Sequence, residues 1–225
     1  MLKLLFPMVA ILLASCGGGD APASATCTAL PMVRIQLFGD STQVGFDSAS
    51  PGEVAPHNPA AALQAFFDAR YGLGKVKVSS RAVNGSGAWQ LVAGSDTLNL
   101  PWPGSVAAEI VVVNHGINDF YLVNDIAAYR KNLQTLSMAP GARVVFETPN
   151  VLRKLDISPF VRVMREVAAE KGLPLADVFA YTSALPDWPV LLHDNAHPSD
   201  SLYQMISRDV LQPTIAPIVA QMLCR

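Results

Sequence analysis

Four histidines occur in the 225-residue chain, and His197 follows an aspartate by three positions in Asp194-Asn195-Ala196-His197-Pro198. That spacing lets a carboxylate and an imidazole meet on one turn. Asp194 then holds one ring nitrogen protonated and leaves the other free as a base. A serine hydroxyl needs such a base before it can attack a carbonyl. The candidate hydroxyl is Ser41, in Phe38-Gly39-Asp40-Ser41, where an apolar run ends and Thr42 and Gln43 can begin a helix or turn. Backbone N–H groups at such a step can stabilise an oxyanion. The Gly-x-Ser-x-Gly elbow of the α/β-hydrolases is absent, and that fold separates its acid from its histidine by far more chain.

Other chemistry competes for the same residues. His193 and His197 stand four apart, a spacing that can share a metal ion on a helix. Pro198 argues against a helix there, and no third ligand is identifiable. The reading is therefore no metal. Ser41 taken alone would be a turn serine capping a helix. His57, in a loop of small residues and prolines, reads as surface.

Positioning these groups is the task of an alternating pattern. Short apolar runs over Met32–Phe38, Val76–Ser79, Ile110–Asn114, Val144–Glu147 and Leu175–Val178 predict strands. Between them, Pro59–Tyr71, Ile126–Met138 and Pro159–Lys171 have helical spacing, with Gly72, Gly141 and Gly172 just past their ends. A last helix is expected from near Ser199, with Pro198 in its first turn and Pro213 and Pro217 breaking or kinking it. Strands alternating with helices indicate βαβ units and a parallel sheet. Ligands of open parallel sheets bind at the carboxyl ends of the strands, where Gly39-Asp40-Ser41, Asn84-Gly85 and Gly116-Ile117-Asn118-Asp119 all fall.

In that order, Phe38-Gly39-Asp40-Ser41, Gly85, Gly116-Ile117-Asn118-Asp119 and Asp194 to His197 resemble the four blocks of the SGNH hydrolases, also called the GDSL esterase and lipase family. The resemblance spans essentially the whole chain after its N-terminal segment. It implies a flavodoxin-like three-layer α/β/α fold with a five-stranded parallel sheet in the order 2-1-3-4-5, and no cofactor. It also implies a catalytic triad of Ser41, Asp194 and His197, with an oxyanion hole made by the Ser41 and Gly85 backbone N–H groups and the Asn118 side chain. Asp40 and Asp119 are expected to orient loops rather than move protons. Two positions depart from the family pattern. Ser80 stands where an asparagine is common, and His115 stands before the third block where an apolar or small residue is usual. Gly87 competes with Gly85 for the second block.

The activity implied is hydrolysis of carboxylic esters through an acyl-enzyme, with deacetylation of a polysaccharide as one form. Lipase, thioesterase and O-acyltransferase chemistry share the same blocks, and a glycan-binding protein without catalysis is the reading from another class. Trp102 and Trp188, in extended loops, and His115 are candidates for a substrate rim, although packing explains tryptophans equally well; Trp89 reads as packing. Residues 48–57 and 180–192 are expected to frame the pocket.

Composition bounds the setting. Hydrophobic residues make up 51% of the chain, and 16 Lys and Arg against 18 Asp and Glu give a formal charge of −2, which excludes disorder and a polybasic nucleic-acid binder. Residues 1–15 have one positive charge, Lys3, and an apolar run too short to span a bilayer. Leu13-Ala14-Ser15-Cys16 resembles the lipobox of bacterial lipoproteins, which implies cleavage before Cys16, lipid on its thiol and an extracytoplasmic, membrane-anchored protein; a monomer is assumed, since nothing in the sequence suggests otherwise. An ordinary secretory signal is the alternative. Residues 16–26 read as a flexible tether and 27–225 as one domain. Export makes a Cys27–Cys224 disulfide an expectation.

Overall fold

The structure, a computed structural model, describes residues 28–225. Strands β1 (Val33–Gly39), β2 (Val76–Ser80), β3 (Ile110–Asn114), β4 (Arg143–Glu147) and β5 (Leu175–Ala176) form one parallel sheet in the order β2-β1-β3-β4-β5. This is the order expected from the sequence. The central β3 is Ile-Val-Val-Val-Asn and every residue of it is buried. Such a continuous β-branched run suits a strand covered on both faces.

Side chains leave the sheet with period two, and each set finds its own layer of helices. Phe38, Val111, Val113, Val144 and Phe146 pack with Leu91, Leu133, Phe160, Met164 and Val167, contributed by α3 (Ala88–Ala93), α4 (Ile126–Leu136) and α5 (Ser158–Lys171). Ile35, Leu37, Ile110, Val112 and Val145 turn the other way, onto Leu63, Phe67, Leu202, Ile206 and Val219. Those come from α2 (Pro59–Tyr71), α7 (Asp200–Ile206) and α8 (Gln212–Met222). Two short helices, α1 (Ser41–Val44) and α6 (Val178–Ala184), follow directly on β1 and β5.

Two expectations about elements are corrected. β5 ends at Ala176 rather than Val178, because the Asp177 carboxylate accepts the Ala180 N–H and caps α6. The last helix does not begin at Pro198, and its regular course is interrupted just before Pro213, as expected, but not at Pro217. Its cap is Ser199, whose hydroxyl accepts from Leu202 N–H, so Pro198 lies outside it. From α7 the chain passes through a wide π turn at Ser207–Leu211 into α8. Pro213 falls in the first turn of α8, where a missing N–H costs least, and Pro217 lies within α8 without ending it.

Cys224 is disulfide-bonded, while Cys16, Cys27, the cleavage site and the tether lie outside the described residues. Leu30 N–H donates to Met222 O at 2.9 Å, bringing the start of the described chain beside the last turn of α8. Cys27 as the partner of Cys224 is our proposal. Mass spectrometry of alkylated, unreduced protein is expected to find these two cysteines joined; a free Cys27 thiol would exclude the pairing.

Candidate active site

The site begins where β1 stops. Gly39 is paired with Asn114 of β3, and a Cβ on Gly39 would lie 2.5 Å from the Asn114 carbonyl oxygen and 2.6 Å from Gln43 Cβ. No larger residue fits that crossing. The buried Asp40 carboxylate then accepts from Thr42 N–H at 2.9 Å and from Thr42 Oγ1 at 2.8 Å, capping α1. The cap presents Ser41 on the first helical turn, where backbone donors have no partner within the helix.

A loop far along the chain meets this serine. Leu192 and Pro198 bridge as antiparallel backbone, and His193 N–H donates to His197 O at 2.9 Å. Inside that hairpin Asp194 Oδ1 accepts the Ala196 and His197 N–H groups, both at 2.8 Å, and Oδ2 stands 2.6 Å from His197 Nδ1. Ser41 Oγ is 2.8 Å from His197 Nε2. Burial opposes ionisation of Asp194, but the two backbone donors and the His197 ring outweigh it and hold the carboxyl below its ordinary range. An anionic Asp194 fixes the proton on Nδ1, which leaves Nε2 able to accept the Ser41 proton.

The other expected oxyanion donors, Gly85 and Asn118, are tied to the end of β1 through Ser86, whose hydroxyl donates to Gly39 O at 3.1 Å. Asn118 Nδ2 donates to Ser86 O at 3.0 Å, which fixes the amide while leaving its second N–H. Gly85 adopts φ +76°, a left-handed conformation that favours glycine. The Gly87 N–H, in contrast, is taken by Gln90 Oε1 at 3.0 Å. Asp119 accepts the Ala88 N–H at 3.1 Å with each carboxylate oxygen and so holds the start of α3. Asp40 and Asp119 are thus hydrogen-bonded to the elements that display the site.

Two of the three rim candidates are elsewhere. Trp102 is buried, edge-on to Phe38 with ring centroids 5.3 Å apart, and its Nε1–H donates to Met138 O at 2.7 Å. His115 is only 1% exposed and neither ring nitrogen has a hydrogen-bond partner among the described residues; burial lowers its pKa to about 4. A neutral imidazole under the site is packing, not a substrate contact. Trp188 does line an open groove, with Leu155, Phe179 and Lys154. His57 is on the surface, its Nδ1 2.8 Å from Asp200.

Sequence reasoning missed several supporting residues. The Phe46 ring lies against His197, with centroids 4.7 Å apart, and its carbonyl accepts the Tyr203 hydroxyl at 3.0 Å. His193 Nδ1 pairs with the Asp47 carboxylate, so His193 and His197 are partnered by different carboxylates. Beneath α1, Glu147 is buried with Oε2 unpartnered among the described residues. Burial raises its pKa to about 8, with the Asn114 and Gln43 side chains offsetting only part of that. Only Phe46, an aromatic five residues after Ser41, carried a local signal.

A serine, an imidazole and a carboxylate hydrogen-bonded in series at the carboxyl edge of a doubly wound sheet define the class of hydrolases that use an activated serine. Residues 37–205 match the model of the GDSL-like Lipase/Acylhydrolase family, and the chain belongs to that family. Solved structures of similar fold include a lipase/acylhydrolase from Enterococcus faecalis, with TM-score 0.65 and 24% identity over 86% of this chain and 97% of that one. Another is Axe2, an acetylxylan esterase from Geobacillus stearothermophilus, with TM-score 0.64 and 18% identity over 81% and 94%. A third is LAE5, an α/β hydrolase from the metagenome of Lake Arreo, Spain, with TM-score 0.64 and 20% identity over 84% and 96%. No curated protein matches the sequence.

The raised pKa of Glu147 has a consequence for stability. Between its ordinary value of 4.5 and about 8 the folded state holds a proton that the unfolded chain releases, so stability falls as pH rises through that window. Asp119, raised by burial to about 7, acts in the same sense. We predict that the melting temperature drops from pH 5 to pH 8 and that Glu147→Gln reduces the slope, each kcal/mol being worth about 2–4 °C in a domain of this size. An unchanged slope in Glu147→Gln would show that Glu147 is ionised throughout.

Proposed function

We propose that this protein is an exported serine esterase that cleaves carboxylic esters through Ser41, His197 and Asp194, with acetyl groups on a polysaccharide as its substrate class. The observation that carries this reading is the hydrogen-bonded series itself, 2.8 Å from Ser41 Oγ to His197 Nε2 and 2.6 Å from His197 Nδ1 to Asp194. Ser41 Oγ attacks the ester carbonyl carbon while its proton passes to His197 Nε2. The oxygen that becomes negative is met by the Ser41 and Gly85 N–H groups and the Asn118 amide. Collapse of the intermediate breaks the bond to the alcohol, which leaves with the proton from His197. Water, deprotonated by His197, then attacks the acyl-enzyme and returns Ser41 to its starting state.

Support for Gly85 over Gly87 as the donor comes from the Gly87 N–H being occupied by Gln90. Support for an acetylated glycan comes from the acetylxylan esterase among the structural neighbours. The exported, lipid-anchored setting rests on Leu13-Ala14-Ser15-Cys16, and a monomer is assumed.

Hydrolysis of p-nitrophenyl acetate, butyrate and octanoate, beside acetylated xylan and pectin, tests the reading. Ser41→Ala is expected to lose at least about a thousandfold in kcat and all labelling by a fluorophosphonate. Asn118→Ala is expected to lose about a hundredfold in kcat. A preference for the acetyl ester and release of acetate from a glycan support deacetylation; faster octanoate turnover points to a lipase. A folded protein that neither turns over nor labels would overturn the proposal in favour of glycan binding.

A further inference from the structure

Asp47 and His193 have no place in the chemistry above, yet their contact joins the two segments on which the chemistry depends. Asp47 lies just beyond α1, with its side chain only 2% exposed. Its carboxylate accepts the Ala49 N–H at 3.0 Å and the Ser50 hydroxyl at 2.8 Å in addition to His193. His193 immediately precedes Asp194, and its ring is one-third exposed. Each residue of the pair is therefore adjacent in sequence to a residue touching the His197 imidazole: Phe46 beside Asp47, and Asp194 beside His193.

The backbone carries this link on to the reacting atoms. Phe46 N–H donates to Ser41 O at 2.8 Å, so a movement of Phe46 is felt at the nucleophile. Its ring rests on His197. On the other side His193 N–H holds His197 O, so the residue that grips Asp47 with its ring also closes the hairpin around the base. Ser41 and His197 are 156 residues apart, and neither Asp40 capping nor the Asp194 turn sets the gap between their segments.

We propose that the Asp47–His193 pair is a clamp that fixes the distance and angle between Ser41 Oγ and His197 Nε2, making both residues positioning residues. Neither touches substrate. The clamp rests on the esterase reading for its effect on turnover, though not for its effect on the His197 ring. Misplacement by about 1 Å is enough to cost about a hundredfold in rate.

The test uses three replacements of His193 and the fact that only Nδ1 reaches Asp47. Asparagine places an amide nitrogen near the position of Nδ1, glutamine reaches further out toward Nε2, and alanine reaches neither. With p-nitrophenyl acetate, His193→Ala and His193→Gln are expected to lose about a hundredfold in kcat with KM near wild type, whereas His193→Asn restores most of the loss. Thermal melts identify any variant that does not fold, and the asparagine and glutamine pair decides the matter if alanine is lost. Equal activity in the asparagine and glutamine variants, or wild-type kcat in both, would overturn the clamp. If the wild type turns over no ester, the functional reading falls. The clamp is then judged by the His197 ring N–H resonance, which is expected to shift in His193→Gln and stay in place in His193→Asn. An unmoved resonance in both overturns it.

Discussion

The pairing of β1 with β3, with Gly39 opposite Asn114, is the constraint on which the site depends. It brings the end of β1 and the start of the Gly116-Ile117-Asn118 loop side by side, so the segments carrying Ser41 and Asn118 leave the sheet at the same edge although they lie far apart in sequence. Side chains alternate with period two, so a slip of one residue would exchange Leu37 and Phe38 between the two helical layers and bury neither correctly. The apolar cores on both faces therefore enforce the register that the chemistry needs. Gly39 leaves little tolerance at the crossing, since its missing side chain is what lets Asn114 and Gln43 approach.

Order in this molecule is obtained at the expense of burying charge-bearing groups. Asp40, Asp119 and Glu147 lie under or beside the site and all three are nearly inaccessible, with burial raising the pKa of each. Asp40 and Asp119 compensate by capping α1 and receiving Ala88 N–H. Asp194 differs in kind. It sits nearer solvent, collects three hydrogen bonds and is held below its ordinary pKa. Four carboxyl groups in one region thus fall into two populations, separated by how many donors each receives relative to the water it gave up.

Much of this was legible in the residues. Pro59 and Gly72 mark the limits of α2, and the Ile-Val-Val-Val run could hardly be anything but a buried strand. The motif residues Ser41, Asp194 and His197 are indeed brought together, because each motif folds locally: a cap at Asp40, a turn at Asp194. What sequence left hidden was contact between segments. Nothing near Asp47 announces His193, which lies 146 residues away. Trp102 misled because its flanking prolines advertise an exposed loop, whereas Phe38 and the Met138 carbonyl draw the ring inward.

The separation of Ser41 from His197 also orders events in time. Synthesis delivers Ser41, its cap and the second and third motifs long before the hairpin of Leu192 and Pro198. Until that hairpin arrives, Ser41 is an ordinary alcohol with no base to deprotonate it. Because the closing contact spans most of the chain, it forms late by the usual penalty on long loops. In the proposed mechanism the nascent chain is therefore chemically silent, and reactivity toward esters appears only when the last helices have docked. A chain that stops before His197 lacks both the base of the proposed mechanism and two of the helices that cover one face of the sheet, so activity reports on completion of the fold.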